Sequence, residues 1–275
     1  MENTGLSIKA VTFDLWETLL FERDGQSNCR NAARCRNVVE AFNKFGIAVS
    51  TEQAEPALKQ VIASLLKVWD SDADVSHVEQ LELLVQTVSD GSLALKNEWV
   101  EELSSAYVSP FFEIPPYLNP EATSVLRELA DEEKRIGLIC NTGLTPGFAL
   151  KEFLNSGGAL EYFDFLAFSD EIGFRKPKPE IFYIAARKLK VDPCNIVHVG
   201  DNLKMDVWGA KNAGFKAILF ACEEGKDRIA EADPNSLVAQ SRSLGSLKAE
   251  QIAPDKTIAR LSMLTGALKE METQI

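Results

Sequence analysis

Imidazole is scarce in this chain: its two histidines, His77 and His198, lie far apart, and none of its five cysteines (Cys29, Cys35, Cys140, Cys194, Cys222) belongs to a CxxC pair. Closely spaced zinc ligands are therefore missing, and an odd, scattered set of thiols gives no disulfide framework. Reduced cysteines in a cytoplasmic protein are the expectation. Positive charge is also short, with 29 Lys and Arg against 41 Asp and Glu and a net charge of −12. So acidic a chain argues against nucleic acid as a partner. No apolar run reaches the roughly 20 residues of a membrane span, so no membrane association is expected. The start, Met1-Glu2-Asn3-Thr4-Gly5, carries neither the basic nor the apolar region of a secretory signal.

What is present is a chain of ordinary globular composition, 45% hydrophobic and 25% charged over 275 residues. It begins with one informative run, Ala10-Val11-Thr12-Phe13-Asp14. The run reads as a buried strand ending in a carboxylate, which is costly unless a metal, a lysine or backbone N–H groups compensate it. After this strand, four amphipathic segments follow with no strand between them: Asn31 to Phe45, Thr51 to Trp69, Ser76 to Val88 (opened by a Ser76…Glu79 capping box) and Lys96 to Val108. Ser109-Pro110 and Ile114-Pro115-Pro116 mark the way out, and Asn119-Pro120-Glu121 reads as the start of the next helix.

From there strand and helix alternate: strands at 136–140, 163–168, 195–199 and 217–220, helices at 146–153, 179–189 and 205–213. The pattern predicts a doubly wound, Rossmann-like parallel sheet with helices on both faces. Residues 235–251 are polar and weakly patterned. A closing helix is expected over Pro254 to Met271, with Ile258, Leu261, Leu264 and Leu268 inward. The organisation that follows is an α/β core from 1–20 and 118–275, interrupted by an α-helical domain over 21–117.

In a parallel sheet, four strand ends share one edge. They carry Asp14 and Thr18, then Cys140-Asn141-Thr142-Gly143, then the loop Arg175-Lys176-Pro177-Lys178, then Gly200-Asp201-Asn202 and Asp206. Three carboxylates so placed repel one another unless a divalent cation lies between them. In this order, a DxxxT run, a polar strand end, a KP loop and a GDx4D run, the chain resembles the haloacid dehalogenase superfamily, whose members are mostly phosphohydrolases. The helical insert sits where that superfamily places its α-helical cap. The resemblance extends to about Phe220.

The resemblance implies that Asp14 is the nucleophile, passing through an aspartyl-phosphate. Asp14, the backbone carbonyl of Trp16 and Asp201 would hold Mg²⁺, with Asp206 binding through water or supporting them. Lys176 would offset the clustered charge and contact the phosphoryl group. Thr18, Asn141 and Thr142 would donate hydrogen bonds to it. The substrate would be a small phosphorylated metabolite, the protein a monomer or homodimer.

Two positions depart from the family pattern. Trp16 stands where phosphatases carry a second Asp, the general acid and base, and an indole N–H cannot exchange protons at neutral pH. Cys140 replaces a Ser or Thr. An aromatic residue at the Trp16 position also occurs in 2-haloacid dehalogenases, which need no metal and whose fourth motif lacks the paired acids. A dehalogenase forming an ester on Asp14 is one alternative, a non-catalytic module binding Mg²⁺ and phosphate another. Elsewhere, Arg175 and Lys178 read as surface charges, His77 as exposed, and His198 as a hydrogen-bonded core histidine. Trp69 and Trp99 read as packing residues of the insert. Arg30, Arg34 and Arg36 read as a solvated helix face, with Arg34 the best placed to meet an anionic substrate. Glu17, next to Trp16, is expected to face away from the site.

Overall fold

The computed structural model describes residues 7–222 and 252–273. The N-terminal pentapeptide and the polar stretch 235–251 lie outside the described residues. Strand β1 (Ala10–Phe13) is buried along its whole length, as a strand covered on both faces must be. It lies at the centre of a six-stranded sheet of order β5-β4-β1-β6-β7-β8, in which every pairing is parallel. The other strands are β4 (Arg135–Cys140), β5 (Phe165–Phe168), β6 (Ile196–Gly200), β7 (Lys216–Phe220) and β8 (Lys256–Ile258). Because β1 pairs with β4 on one side and β6 on the other, the chain reverses winding direction there. That switch point opens the crevice in which ligands of such sheets bind.

Helices cover both faces. On one, Ile181, Phe182 and Ala185 of α8 (Pro179–Leu189) pack with Ala10, Ile139 and Ile196. On the other, Val11, Phe13 and Leu138 meet α5 (Ala122–Asp131) through Val125 and Leu129, and α10 (Leu264–Thr273) through Leu264 and Leu268. Short helices α6 (Gly147–Ser156), α7 (Ser169–Ile172) and α9 (Gly209–Asn212) complete the layers.

Between β2 (Leu20–Phe21) and β3 (Tyr117–Leu118) the chain is helical: α1 (Gln26–Lys44), α2 (Thr51–Trp69), α3 (His77–Val88) and α4 (Val100–Glu113). β2 and β3 pair antiparallel, so the chain's exit to this segment and its return are hydrogen-bonded to each other. The Ser76 cap of α3 is present, with Ser76 N–H donating to Glu79 Oε2 at 2.7 Å.

Three expectations change. The fourth helix runs through Pro110 to Glu113. Burial of Tyr107, Pro110 and Phe111 outweighs the lost backbone hydrogen bond at proline. The helix expected over 205–213 opens instead as a wide π turn, Leu203–Trp208, capped by Asn202 Oδ1, which accepts from Lys204 and Met205 N–H. The closing segment is not one helix. Lys256–Ile258 adds an edge strand, a short 3₁₀ turn follows at Leu261–Met263, and only then does α10 begin. The four apolar residues expected to face inward are nonetheless all buried.

Candidate active site

The sheet's C-terminal edge brings the motif residues together. Asp14 follows β1, its N–H still donating to Val199 O at 2.9 Å, and its carboxylate is largely buried. Lys176, in the loop before α8, places Nζ 2.5 Å from Asp14 Oδ1 and 2.7 Å from Asp206 Oδ1. Asn141, just past β4, fixes that lysine's backbone twice. Its Oδ1 accepts from Lys176 N–H at 2.7 Å and its Nδ2 donates to Lys176 O at 2.9 Å. Its side chain thus fixes Lys176, and its second Nδ2–H is left over at the cavity that Asn141 lines.

Asp206 is held by three protein partners. Besides Lys176 it takes the Asn202 N–H on Oδ2 at 2.9 Å, and His198 Nε2 lies 3.2 Å from Oδ1. On its far side, His198 Nδ1 meets Thr12 Oγ1 at 2.9 Å. Burial and nearby Lys176 hold the His198 pKa down despite Asp206. A neutral ring fits this geometry, with Nε2–H donating to Asp206 and Nδ1 accepting the Thr12 hydroxyl. Gly200, which ends β6, permits this approach, because a Cβ there would overlap the Asp206 carboxyl.

Charge balance defines the site. Burial raises the Asp14 pKa to about 7; Lys176 opposes the shift, and Asp206 and Asp201 add to it. Burial alone would depress the Lys176 ammonium, but Asp14 and Asp206 outweigh it and hold its pKa above the ordinary lysine value. Asp206 lies below the usual carboxylate range: burial opposes ionisation, and Lys176 and His198 overcome it. Asp14, Asp201 and Asp206 each bring a carboxylate oxygen within 4.8 Å of the others. One lysine does not neutralise three carboxylates, and an all-oxygen donor set suits a hard cation such as Mg²⁺.

These residues line one cavity of about 330 Å³, together with Trp16, Asn141 and Thr142. Thr18 does not line it. Thr18 is fully buried, and its Oγ1 has no hydrogen-bond partner among the described residues. Cys140 is buried, and its thiol is raised well above the ordinary value by burial and by Asp14, which suits a packing residue and not a nucleophile.

The helical segment supplies the opposite wall. Trp16 turns its indole toward that segment, edge-on to Phe111 at 6.4 Å. Arg30 and Arg34 are both buried in the cavity wall, contrary to the solvated face expected of them; Arg36 is exposed, as expected. Glu17 also lines the cavity. It lies beyond β1 with φ +58°, so the alternation of a strand does not apply to it. Arg175 is no surface charge. Its Nη1 is 2.5 Å from Asp74 Oδ2, and its guanidinium stacks 4.2 Å over Trp69. Asp74, from the loop between α2 and α3, also accepts from Ser169 Oγ at 2.5 Å, Thr142 Oγ1 at 3.4 Å and Trp69 Nε1 at 2.7 Å. Trp69 thus serves the cavity wall, whereas Trp99 packs in the helical core as expected. No feature of the sequence pointed to Asp74.

A haloacid dehalogenase-like hydrolase family model matches residues 8–214. A glyceraldehyde 3-phosphate phosphatase from Methanopyrus kandleri is 30% identical over 213 residues, covering 77% of this chain and 83% of the relative. One of the same name from Methanothermobacter thermautotrophicus is 29% identical over 222 residues, 78% of this chain and 87% of its own. Among solved structures, a 2-haloacid dehalogenase from Pseudomonas syringae superposes with a TM-score of 0.63 at 25% identity, over 96% of this chain and 99% of the other.

Proposed function

The chain belongs to the haloacid dehalogenase-like hydrolases, and from that premise we propose that it is a Mg²⁺-dependent phosphohydrolase of small phosphorylated metabolites, acting through Asp14. The observation that carries this reading is the bridge from Lys176 to Asp14 and Asp206 inside a cavity that also holds Asp201. In this reading the segment 21–117 is the cap, and 1–20 with 118–275 form the core. The named phosphatase relatives support a phosphate ester as substrate.

Asp14 attacks phosphorus and carries the phosphoryl group as an acyl phosphate, which water then hydrolyses. Lys176, donating to Asp14 Oδ1, keeps the attacking carboxylate oriented and sets positive charge beside the transferring group. Thr142 is the hydroxyl beside that group, held by Ser169 and Asp74. Asp14, the Trp16 carbonyl and Asp201 would hold Mg²⁺, with Asp206 as their support. When bound, the ion would offset the acid cluster and withdraw charge from a phosphoryl oxygen. Trp16 gives no proton to the leaving oxygen, so substrates whose leaving group departs as a stable anion are favoured, acyl phosphates among them. The helical wall screens the acyl phosphate from bulk water.

Phosphate release from a panel of esters and acyl phosphates with Mg²⁺, compared with Asp14→Asn, tests the proposal. It fails if neither class turns over, or if the variant matches the parent. The dehalogenase alternative draws on Trp16 and on the structural likeness just described. The clustering of Asp201 and Asp206 with Asp14 favours phosphate.

A further inference from the structure

The helical wall contains a cation without a counter-ion. Arg34 of α1 is 2% exposed, yet no carboxylate among the described residues pairs with it. Its Nε donates to Tyr107 O at 2.8 Å and its Nη1 to Asn31 Oδ1 at 2.5 Å, both neutral acceptors, and the Tyr107 ring lies 4.8 Å from its Cζ. A guanidinium has five N–H donors, so these bonds leave others for the cavity that it lines. Arg30, one turn earlier, is also buried in that wall and pairs with Glu22. Of the acids that line the cavity from the helical segment, Glu22 pairs with Arg30, whereas Asp70 is exposed and Asp72 half-buried, and neither pairs with Arg34. Burying a guanidinium without an anion is costly, and burial lowers the Arg34 pKa accordingly. Asp14 and Lys176 line the same cavity from the opposite side.

We propose that Arg34, seconded by Arg30, is a second anion subsite, so that the preferred substrate carries a carboxylate or a second phosphate in addition to the phosphoryl group delivered to Asp14. This rests on the phosphohydrolase reading for the identity of the first group, but not for the existence of the subsite. Arg34 is a binding residue in this proposal. The bidentate fork of its guanidinium suits a planar carboxylate or two phosphate oxygens. A substrate with a neutral tail, such as a simple triose phosphate, leaves the charge uncompensated. On this proposal it is therefore the poorer substrate.

The test uses non-hydrolysable ligands, so it reads the subsite whether or not the protein is a phosphatase. Calorimetry on the full chain compares ethylphosphonate with 3-phosphonopropionate and with propane-1,3-bisphosphonate, all with Mg²⁺. At least about tenfold tighter binding of one or both tailed ligands is expected, and which one gains tells carboxylate from phosphate. Equal affinity for all three overturns the proposal. In the hydrolysis panel, Arg34→Gln lowers the ratio of kcat/KM for anionic-tailed over neutral-tailed esters by about tenfold or more, mostly through KM. A purely structural arginine would lower both alike and leave the ratio unmoved. Should the variant fail to fold, the ligand comparison on the unaltered protein still decides. If no ester is hydrolysed but the tailed phosphonates bind selectively, the function proposal falls and the subsite stands.

Discussion

The ammonium of Lys176 is the shared counter-ion of Asp14 and Asp206, 2.5 Å from the first and 2.7 Å from the second. All three groups are buried, so the lysine contributes to stability as well as to chemistry. Lys176→Met leaves two buried carboxylates facing each other. A loss of about 3–5 kcal/mol is expected, seen as a fall in Tm of roughly 6–20 °C, with phosphate release lost. Differential scanning calorimetry without added Mg²⁺ checks the first part; a variant that melts with the parent contradicts this assignment of charge.

Asp14→Asn separates the two roles of that residue. It removes the nucleophile, so phosphate release is expected to fall by about three orders of magnitude or more. It also removes a carboxylate that burial already disfavours, while Asp206 remains to pair with Lys176. Its Tm should stay near that of the parent. A large drop in Tm with activity retained would mean that Asp14 is a structural residue.

Trp16→Asp restores an acid at the position that the family's phosphatases use for proton transfer. Turnover of alkyl phosphates should rise by about tenfold or more, while acyl phosphates, which need no protonated leaving group, change little. A uniform loss across both classes would show that the indole, packed on Phe111, is needed to shape the cavity.

His77 gives a pH dependence remote from the carboxylate cluster. Burial, with Arg34 adding, lowers its pKa to about 4. Its Nε2 meets Ser104 Oγ at 2.8 Å, and its ring lies against Tyr107 and Phe148. The unfolded chain takes up a proton near pH 6.5 and the folded chain only near pH 4. This contribution to stability is therefore whole above pH 6.5 and is lost as pH falls toward 4. The loss is on the order of 3 kcal/mol. Urea titrations at stepwise pH should show it, and His77→Gln should flatten the curve between those limits. An unchanged curve in the variant would place the acid sensitivity elsewhere.

Chelation tells phosphate from halide chemistry. With EDTA, phosphate release should stop, and 2-chloropropionate should yield no chloride with or without metal. Chloride release that persists in EDTA would select the dehalogenase alternative.

Much of the core could be read from the residues alone. Helices α3 and α8 begin and end where Ser76, Pro179 and the apolar period place them, because capping and amphipathicity act locally. The gathering of Asp14, Lys176, Asp201 and Asp206 follows from a parallel sheet with those residues at its strand ends. What stayed hidden depends on tertiary contacts. The i,i+4 spacing of Arg30 and Arg34 is the same on a solvated face as on a cavity wall, and only α4 behind them, with Tyr107 and Phe111, decides. Arg175 looked like a surface charge because its partner, Asp74, lies about a hundred residues earlier in the chain. Strand β8 is three residues at a sheet edge, too short for alternation to declare itself. Glu17 reaches the cavity through a left-handed backbone turn that carries no glycine to announce it.

Asp74 belongs to the helical segment, yet the hydroxyls of Thr142 and Ser169 and the guanidinium of Arg175 belong to the sheet side. The roof of the crevice is thus pinned at the point where the floor must be most exact. Displacing that loop releases the Thr142 hydroxyl from one of its anchors, and reshaping of the roof for other molecules is free only where it leaves this one carboxylate in place.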